Sequence, residues 1–176
     1  MAFVDLPGQV FVTGTDYNGL QSITADFPVL VEDPVGVIRH QIDQETNGTR
    51  TLQFVNVLAA TTVANGTALM FSDLYRKTVT KVVASASRNQ PAGVGIGAIT
   101  AGNRGWIQIA GYHSAVITNA DDDITDGDSI IMSATDGKVD STAAGTAPTH
   151  KTLGIAVADD DNAADTVAVQ LNCLYV

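Results

Sequence analysis

Asn-Gly or Asp-Gly occurs five times in this chain, at Asn18-Gly19, Asn47-Gly48, Asn65-Gly66, Asp126-Gly127 and Asp136-Gly137. Both dipeptides tolerate the positive φ that tight hairpin turns require. Around them run short alternating or β-branched stretches: "QVFVT" (9–13), "TLQFVNV" (51–57), "TVTKVVA" (78–84), "GWIQIAG" (105–111), "SAVIT" (114–118) and "TVAVQL" (166–171). No long window repeats apolar residues at intervals of three and four, so no amphipathic helix is predicted. The pattern predicts an all-β fold, a small β-sandwich or barrel.

A chain of 176 residues, 45% hydrophobic and only 16% charged, is expected to fold as one domain, with or without an appended arm. No stretch reaches the roughly 18 apolar residues of a membrane span, so no membrane is expected as a partner. The first residues, "MAFVDLPGQV", lack the basic start and apolar core of a secretion signal. A single cysteine, Cys173, cannot form an internal disulfide. Residues 1–50 carry Pro7, Pro28 and Pro34 among irregularly spaced apolar residues, which predicts an extended segment with a few strands. That segment either lies along a neighbouring subunit as an arm or wraps its own domain. Residues 51–176 form the β domain.

An internal repeat runs through that domain. "VANGTALMFSD" (63–73) aligns with "ITDGDSIIMSA" (124–134) at an offset of 61, setting Val63 against Ile124, Gly66 against Gly127 and Ser72 against Ser133. Further on, Gly95 is aligned with Gly154 at 59, and Ile107-Gln108-Ile109 with Val169-Gln170-Leu171 at 62. Two related β units, about 60–118 and 121–176, follow from this. "AGNRG" and "DDDNAAD" then occupy the same hairpin connection, and Gly95 and Gly154 lie on strands where another backbone comes close.

The glycines of "GVGIGAITAGNRGWIQIAG" (93–111) invite a phosphate-loop reading, and the residues decline it. A dinucleotide loop needs G-x-G-x-x-G opening a helix, whereas the sixth position here is Ala98 or Thr100 and a strand follows. No Gly-Lys-Ser/Thr occurs. "DDDITDGDSIIM" (121–132) departs from the EF-hand pattern, with Asp126 at its sixth position and Met132 at its twelfth. Asp159, Asp161 and Asp165 remain weak metal candidates against the favoured reading of a solvated acidic turn. The three histidines, His40, His113 and His150, have no metal-ligand spacing, and no G-x-S-x-G elbow occurs. His113 and Ser114, adjacent on a strand, face opposite ways and make no base–nucleophile pair. No catalytic residue, no cofactor and no enzyme activity are expected.

Charge points to contacts instead. Residues 1–105 hold eight acidic and seven basic residues, whereas 106–176 hold eleven acidic and two basic. So acidic a half repels nucleic-acid backbones and suits solubility or a basic partner. Tyr75, Arg76 and Lys77, with Lys81, Arg88 and Arg104, offer a basic side for a subunit contact, against the alternative of ordinary surface charge. Trp106, the one tryptophan, reads as a core or interface anchor. The interface candidates are thus Tyr75, Arg76, Lys77, Arg104 and Trp106.

In order along the chain stand Gly105-Trp106-Ile107-Gln108 with Gly111, Asp126-Gly127-Asp128, Gly137-Lys138-Val139, Leu153-Gly154-Ile155-Ala156 and Val167-Ala168-Val169-Gln170-Leu171. Over about residues 60–172 this series resembles the capsid decoration, or cement, proteins of tailed bacteriophages. The resemblance implies a structural protein of the virion. It would be made in the host cytoplasm and seated on the capsid exterior, as a homo-oligomer, commonly a trimer, bound to the major capsid protein. It would stabilise the expanded head, with no nucleic acid as partner. The alternative is another virion module, a head-fibre base or a tail or adhesin domain that binds host glycan.

Overall fold

The computed structural model describes residues 35–36, 38–45, 48–73, 77–83, 90–119, 123–160 and 165–173. Ten strands run through them: β1 (Ile38–Glu45), β2 (Gly48–Ala59), β3 (Ala68–Phe71), β4 (Thr78–Thr80), β5 (Pro91–Gly95), β6 (Arg104–Ile117), β7 (Ser129–Met132), β8 (Val139–Thr142), β9 (Thr152–Ala156) and β10 (Thr166–Asn172). No helix occurs among the described residues, and the fold is all-β. The strand predicted at 9–13, with the rest of the proline-bearing segment to residue 34, lies outside them. Residue 50, where the sequence reading ends that segment, falls within β2.

Strands β2, β4, β3, β5 and β6 close into a five-stranded barrel, because β6 returns to pair with β2. The β2–β4 link is parallel, through Leu58↔Thr78 and Ala59↔Val79, and the other four are antiparallel. Closure removes the unpaired strand edges that an open sheet would expose. Outside the ring, β1 forms an antiparallel hairpin with residues Gly48–Val55 of β2.

At 14 residues β6 outlasts this barrel. Its residues 104–110 pair with β2, and its residues 110–117 pair with β10. The sequence reading divides it into two runs at Gly111; the chain instead continues as one strand, with Gly111 at φ 93. From β10 the sheet passes through β9 and β7 to β8. A parallel bridge from Thr118 to Val139 then leads back to the end of β6. This is a second ring with the order of the first, and β6 is common to both.

The correspondence holds bond by bond. Val94↔Gln108 and Gly95↔Ile107 in the first ring match Ile155↔Gln170 and Ala156↔Val169 in the second. The amide of Gly66 donates to the Gly95 carbonyl at 2.8 Å, and that of Gly127 to Ala156 at 3.0 Å. Ile99 N donates to Val63 O, as Asp160 N does to Ile124 O. Gly66 and Gly127, at φ 76 and 92, sit in turns that favour a residue without Cβ.

One alignment made from sequence changes. Gly154 corresponds to Gly93, at an offset of 61, and Gly95 to Ala156. The physical reason is the neighbouring strand. A Cβ on Gly93 would collide with the carbonyl oxygen of Gln108, and one on Gly154 with that of Gln170. Both glycines let two backbones approach at the same place in the two rings.

Twenty-five buried residues from both rings form one continuous core, from Val55 through Ile107 to Leu171 and Cys173. Leu52, Phe54 and Trp106, with Ile96 packed on them, make a smaller cluster beside it. Alternation along β2 explains the split: Val55 and Val57 join the main core, whereas Leu52 and Phe54 face the other way.

Candidate contact surfaces

Strand pairing brings two of the interface candidates together. Leu58 pairs with Arg104 on one side and Thr78 on the other, and its amide donates to the Lys77 carbonyl at 3.0 Å. Arg104 and Leu58 are half-buried and Lys77 is exposed; Thr78 and Arg104 are the cross-strand neighbours of Leu58, and Lys77, one residue before Thr78, lies at the same end of the first barrel. Asp73 holds the local loop through its two carboxylate oxygens, which accept the amides of Lys77 at 3.0 Å and Thr78 at 2.9 Å. Tyr75 and Arg76 lie outside the described residues, as does Arg88. Trp106 stands elsewhere. At 1% exposure it packs with Leu52, Phe54 and Ile96, so of its two readings the structure gives it the core.

The acidic turns of the second ring are tied mainly to their own backbone. Asp159 is exposed, and its Oδ1 accepts the Asp126 amide at 3.0 Å. Asp165 takes a left-handed φ of 50 and accepts the Thr118 amide on its carbonyl at 2.8 Å. Asp161 lies outside the described residues. Among the described residues, no three His, Cys, Asp or Glu side chains gather as a metal site would require.

Three residues to which the sequence gives no site role have defined structural roles. Asp128 is buried, and it caps a turn. Its Oδ2 accepts the Thr125 amide and the Ser141 hydroxyl, both at 3.2 Å, and its Oδ1 accepts the Ala144 amide at 2.9 Å. Burial pulls its pKa upward; the hydrogen bonds from Thr125, Ala144 and Ser141 outweigh that and hold it below the ordinary aspartate value. In the first ring Thr67 has the same place, its hydroxyl accepting the Ala64 amide at 3.2 Å. The signal in the sequence was the offset of 61 between Thr67 and Asp128, masked by the surrounding run of aspartates.

His113 lies where the rings join. Its Nδ1 accepts the Ala115 amide at 3.2 Å, which leaves the proton of the neutral ring on Nε2, and it also hydrogen-bonds the Gly95 backbone of the first ring. Burial lowers its pKa, and the bond to Gly95 offsets part of that. The third residue, Cys173, is buried; burial pushes its thiol up to about 12, and its Sγ–H donates to the Leu153 carbonyl. So protonated a thiol is a poor nucleophile and metal ligand.

Comparison with protein-family models finds no match, and comparison with curated proteins finds none. Among solved structures, the chain is similar to the crystal structure of the head fiber gp8.5 N base in bacteriophage phi29. The TM-score is 0.48 and the sequence identity 18%, over 71% of this chain and 98% of that one. At that level of likeness, function has to be read from this chain's own residues.

Proposed function

We propose that this protein is a structural component of a tailed-phage virion, seated on the exterior of the expanded head and stabilising it. The observation that supports this reading is the placement of the motif series shared with decoration proteins. Gly105–Gly111, Asp126–Asp128, Gly137–Val139, Leu153–Ala156 and Val167–Leu171 all fall on strands and turns of the closed rings. They are architectural positions, and a protein that works by being bound in many copies needs architecture more than chemistry. The acidic skew suits an outer face better than one lining packaged DNA. In this reading the chain is not an enzyme, its partner is the major capsid protein, and it acts as a homo-oligomer.

A second version of the same role is the base of a head fibre, the part named for the phi29 structure compared above. The two versions differ in occupancy. Adding purified protein to undecorated expanded heads, followed by cryo-electron microscopy, tests both. Saturable density over all symmetric positions supports decoration, and density at a few positions supports a fibre base. Heads that stay bare at saturating protein overturn both.

A further inference from the structure

The two rings close on themselves, but β1 joins neither. Among the described residues it pairs along one edge only, with Gly48–Val55 of β2. At the other end of the strand order, β8 is drawn back to β6 by the Thr118–Val139 bridge. The first ring also reaches little of the β1–β2 hairpin: β6 meets β2 from Gln53 onward, and β4 meets it at Leu58 and Ala59. Within the described residues Gly48–Leu52 therefore pair with β1 alone, and this stretch extends past the barrel's ladders as a two-stranded ribbon. Two strands alone are marginal in water, and an unpaired edge of eight residues invites a third. Ile38 and His40, both exposed, lie on that strand.

The order of charges along β1 selects the partner. Its sequence, IRHQIDQE, carries Arg39 in the first half and Asp43 and Glu45 in the second. In an antiparallel ladder, facing residues are either both bonded or both unbonded. A strand paired with its own copy therefore sets odd positions against odd and even against even. Centred on Gln41, such a pairing sets position 39 against 43; centred on Ile42, it sets 39 against 45. Either register puts unlike charges on facing positions, twice per contact, whereas in-register parallel pairing puts like against like. Unlike charges on facing positions stabilise a ladder and like charges destabilise it. We propose that β1 is the docking edge for a second copy of this chain, the two β1 strands pairing antiparallel about a two-fold axis to make one four-stranded sheet of the two hairpins. Main-chain bonds supply the affinity of such strand addition, and the order of side chains fixes its register. The inference rests on the reading above only in expecting several copies to act together.

Sedimentation velocity and amide hydrogen exchange on the full chain test it. Wild-type protein is expected to dimerise, with exchange in residues 38–45 slowing as concentration rises through the dimer range. Arg39→Glu alone and Asp43→Lys/Glu45→Lys alone are each expected to dimerise roughly tenfold more weakly, since like charges then face each other twice. Mixed in equal amounts, the two variants are expected to regain the dimer, because both unlike pairs return with their signs exchanged. Recovery in the mixture is decisive, because Asp43 also stands opposite Arg50 within the hairpin and its change alone strains that ladder. A wild-type chain that stays monomeric, variants that dimerise like wild type, or a mixture that stays weak overturns the proposal. So does exchange in 38–45 that is slow at every dilution, since the edge would then be covered from within the same chain. Heads bound by a monomeric chain overturn the contact and leave the capsid reading standing. A dimer that leaves heads bare does the reverse.

Discussion

Val94, Gln108 and Phe54 lie across three strands of the first ring and are all buried, whereas in the same rung of the second Ile155 and Gln170 are exposed and Tyr112 is half-buried. The backbone bonds around the two rungs match, so hydrogen bonding does not decide which is covered. Side-chain volume does. Trp106 and Phe54 build a second layer outside the first ring, and Ala168, at the place of Trp106, does not rebuild it outside the second. One repeat therefore became core on both faces of β5 while its copy kept a surface. The two rings share one frame, and differences at a few positions divide burial from display.

The comparison is broken most severely at Trp106. Trp106→Ala is expected to cost about 3–5 kcal/mol, because a fully buried indole leaves a cavity; urea denaturation reads it as a lowered midpoint. A loss below 1 kcal/mol would mean that the outer cluster is not a true layer. Gly93→Ala and Gly154→Ala come next, at roughly 3 kcal/mol each, since each added methyl meets a backbone carbonyl that cannot yield. Similar losses in the two would support the 61-residue correspondence; a tolerated Gly154→Ala would undo it.

Smaller effects sharpen the contrast between the two turn caps. Asp128→Asn is expected to cost about 1–2 kcal/mol and Thr67→Ala about 1 kcal/mol, because the carboxylate accepts three bonds from Thr125, Ser141 and Ala144 and the hydroxyl accepts one from Ala64. The Asp128 contribution depends on pH. Its folded pKa is depressed, so the unfolded chain takes up the proton first. Stability is whole above the ordinary aspartate value of 3.8 and is lost as pH falls through the folded value. In Asp128→Asn the melting temperature should fall less steeply in that window.

His113 adds a gentler slope at milder acidity. Its folded pKa is also lowered, so stability is whole above the ordinary value of 6.5 and declines below it as the unfolded chain takes up the proton. Protonation also sets a ring N–H against the Ala115 amide it had accepted. In His113→Gln this slope should flatten, and amide exchange at Ala115 should no longer quicken between neutral and mildly acid pH. An imidazole titrating at the ordinary value in NMR would remove the effect.

Much of this plan could be read from the sequence. Among the described residues only Asp136-Gly137 joins two paired strands, but the recurrence of Asn65-Gly66 and Asp126-Gly127 at a spacing of 61 marked the repeat, because a turn leaves a local chemical mark. Register leaves none. Gly95 looked the natural counterpart of Gly154, yet the decisive partner was the carbonyl of Gln108, and which glycine faces it is settled by pairing across strands. The same limit hid β6, since Gly111 reads as a stop and acts as a bend. Among the candidate residues, Lys77 and Arg104 lie at one end of the first barrel, and charge could not tell that Trp106 lies beneath a surface instead of on it.

The sharing of β6 has a mechanical consequence. Neither ring can be excised whole, because a cut after Thr118 takes from the second ring the stave that its β10 leans on. The two rings should therefore melt in one transition, with a single denaturant slope for the whole β domain. A load applied between the rings would also pass lengthwise along β6, whose ladders to β2 and β10 would resist by sliding instead of unzipping. All those bonds must then fail together.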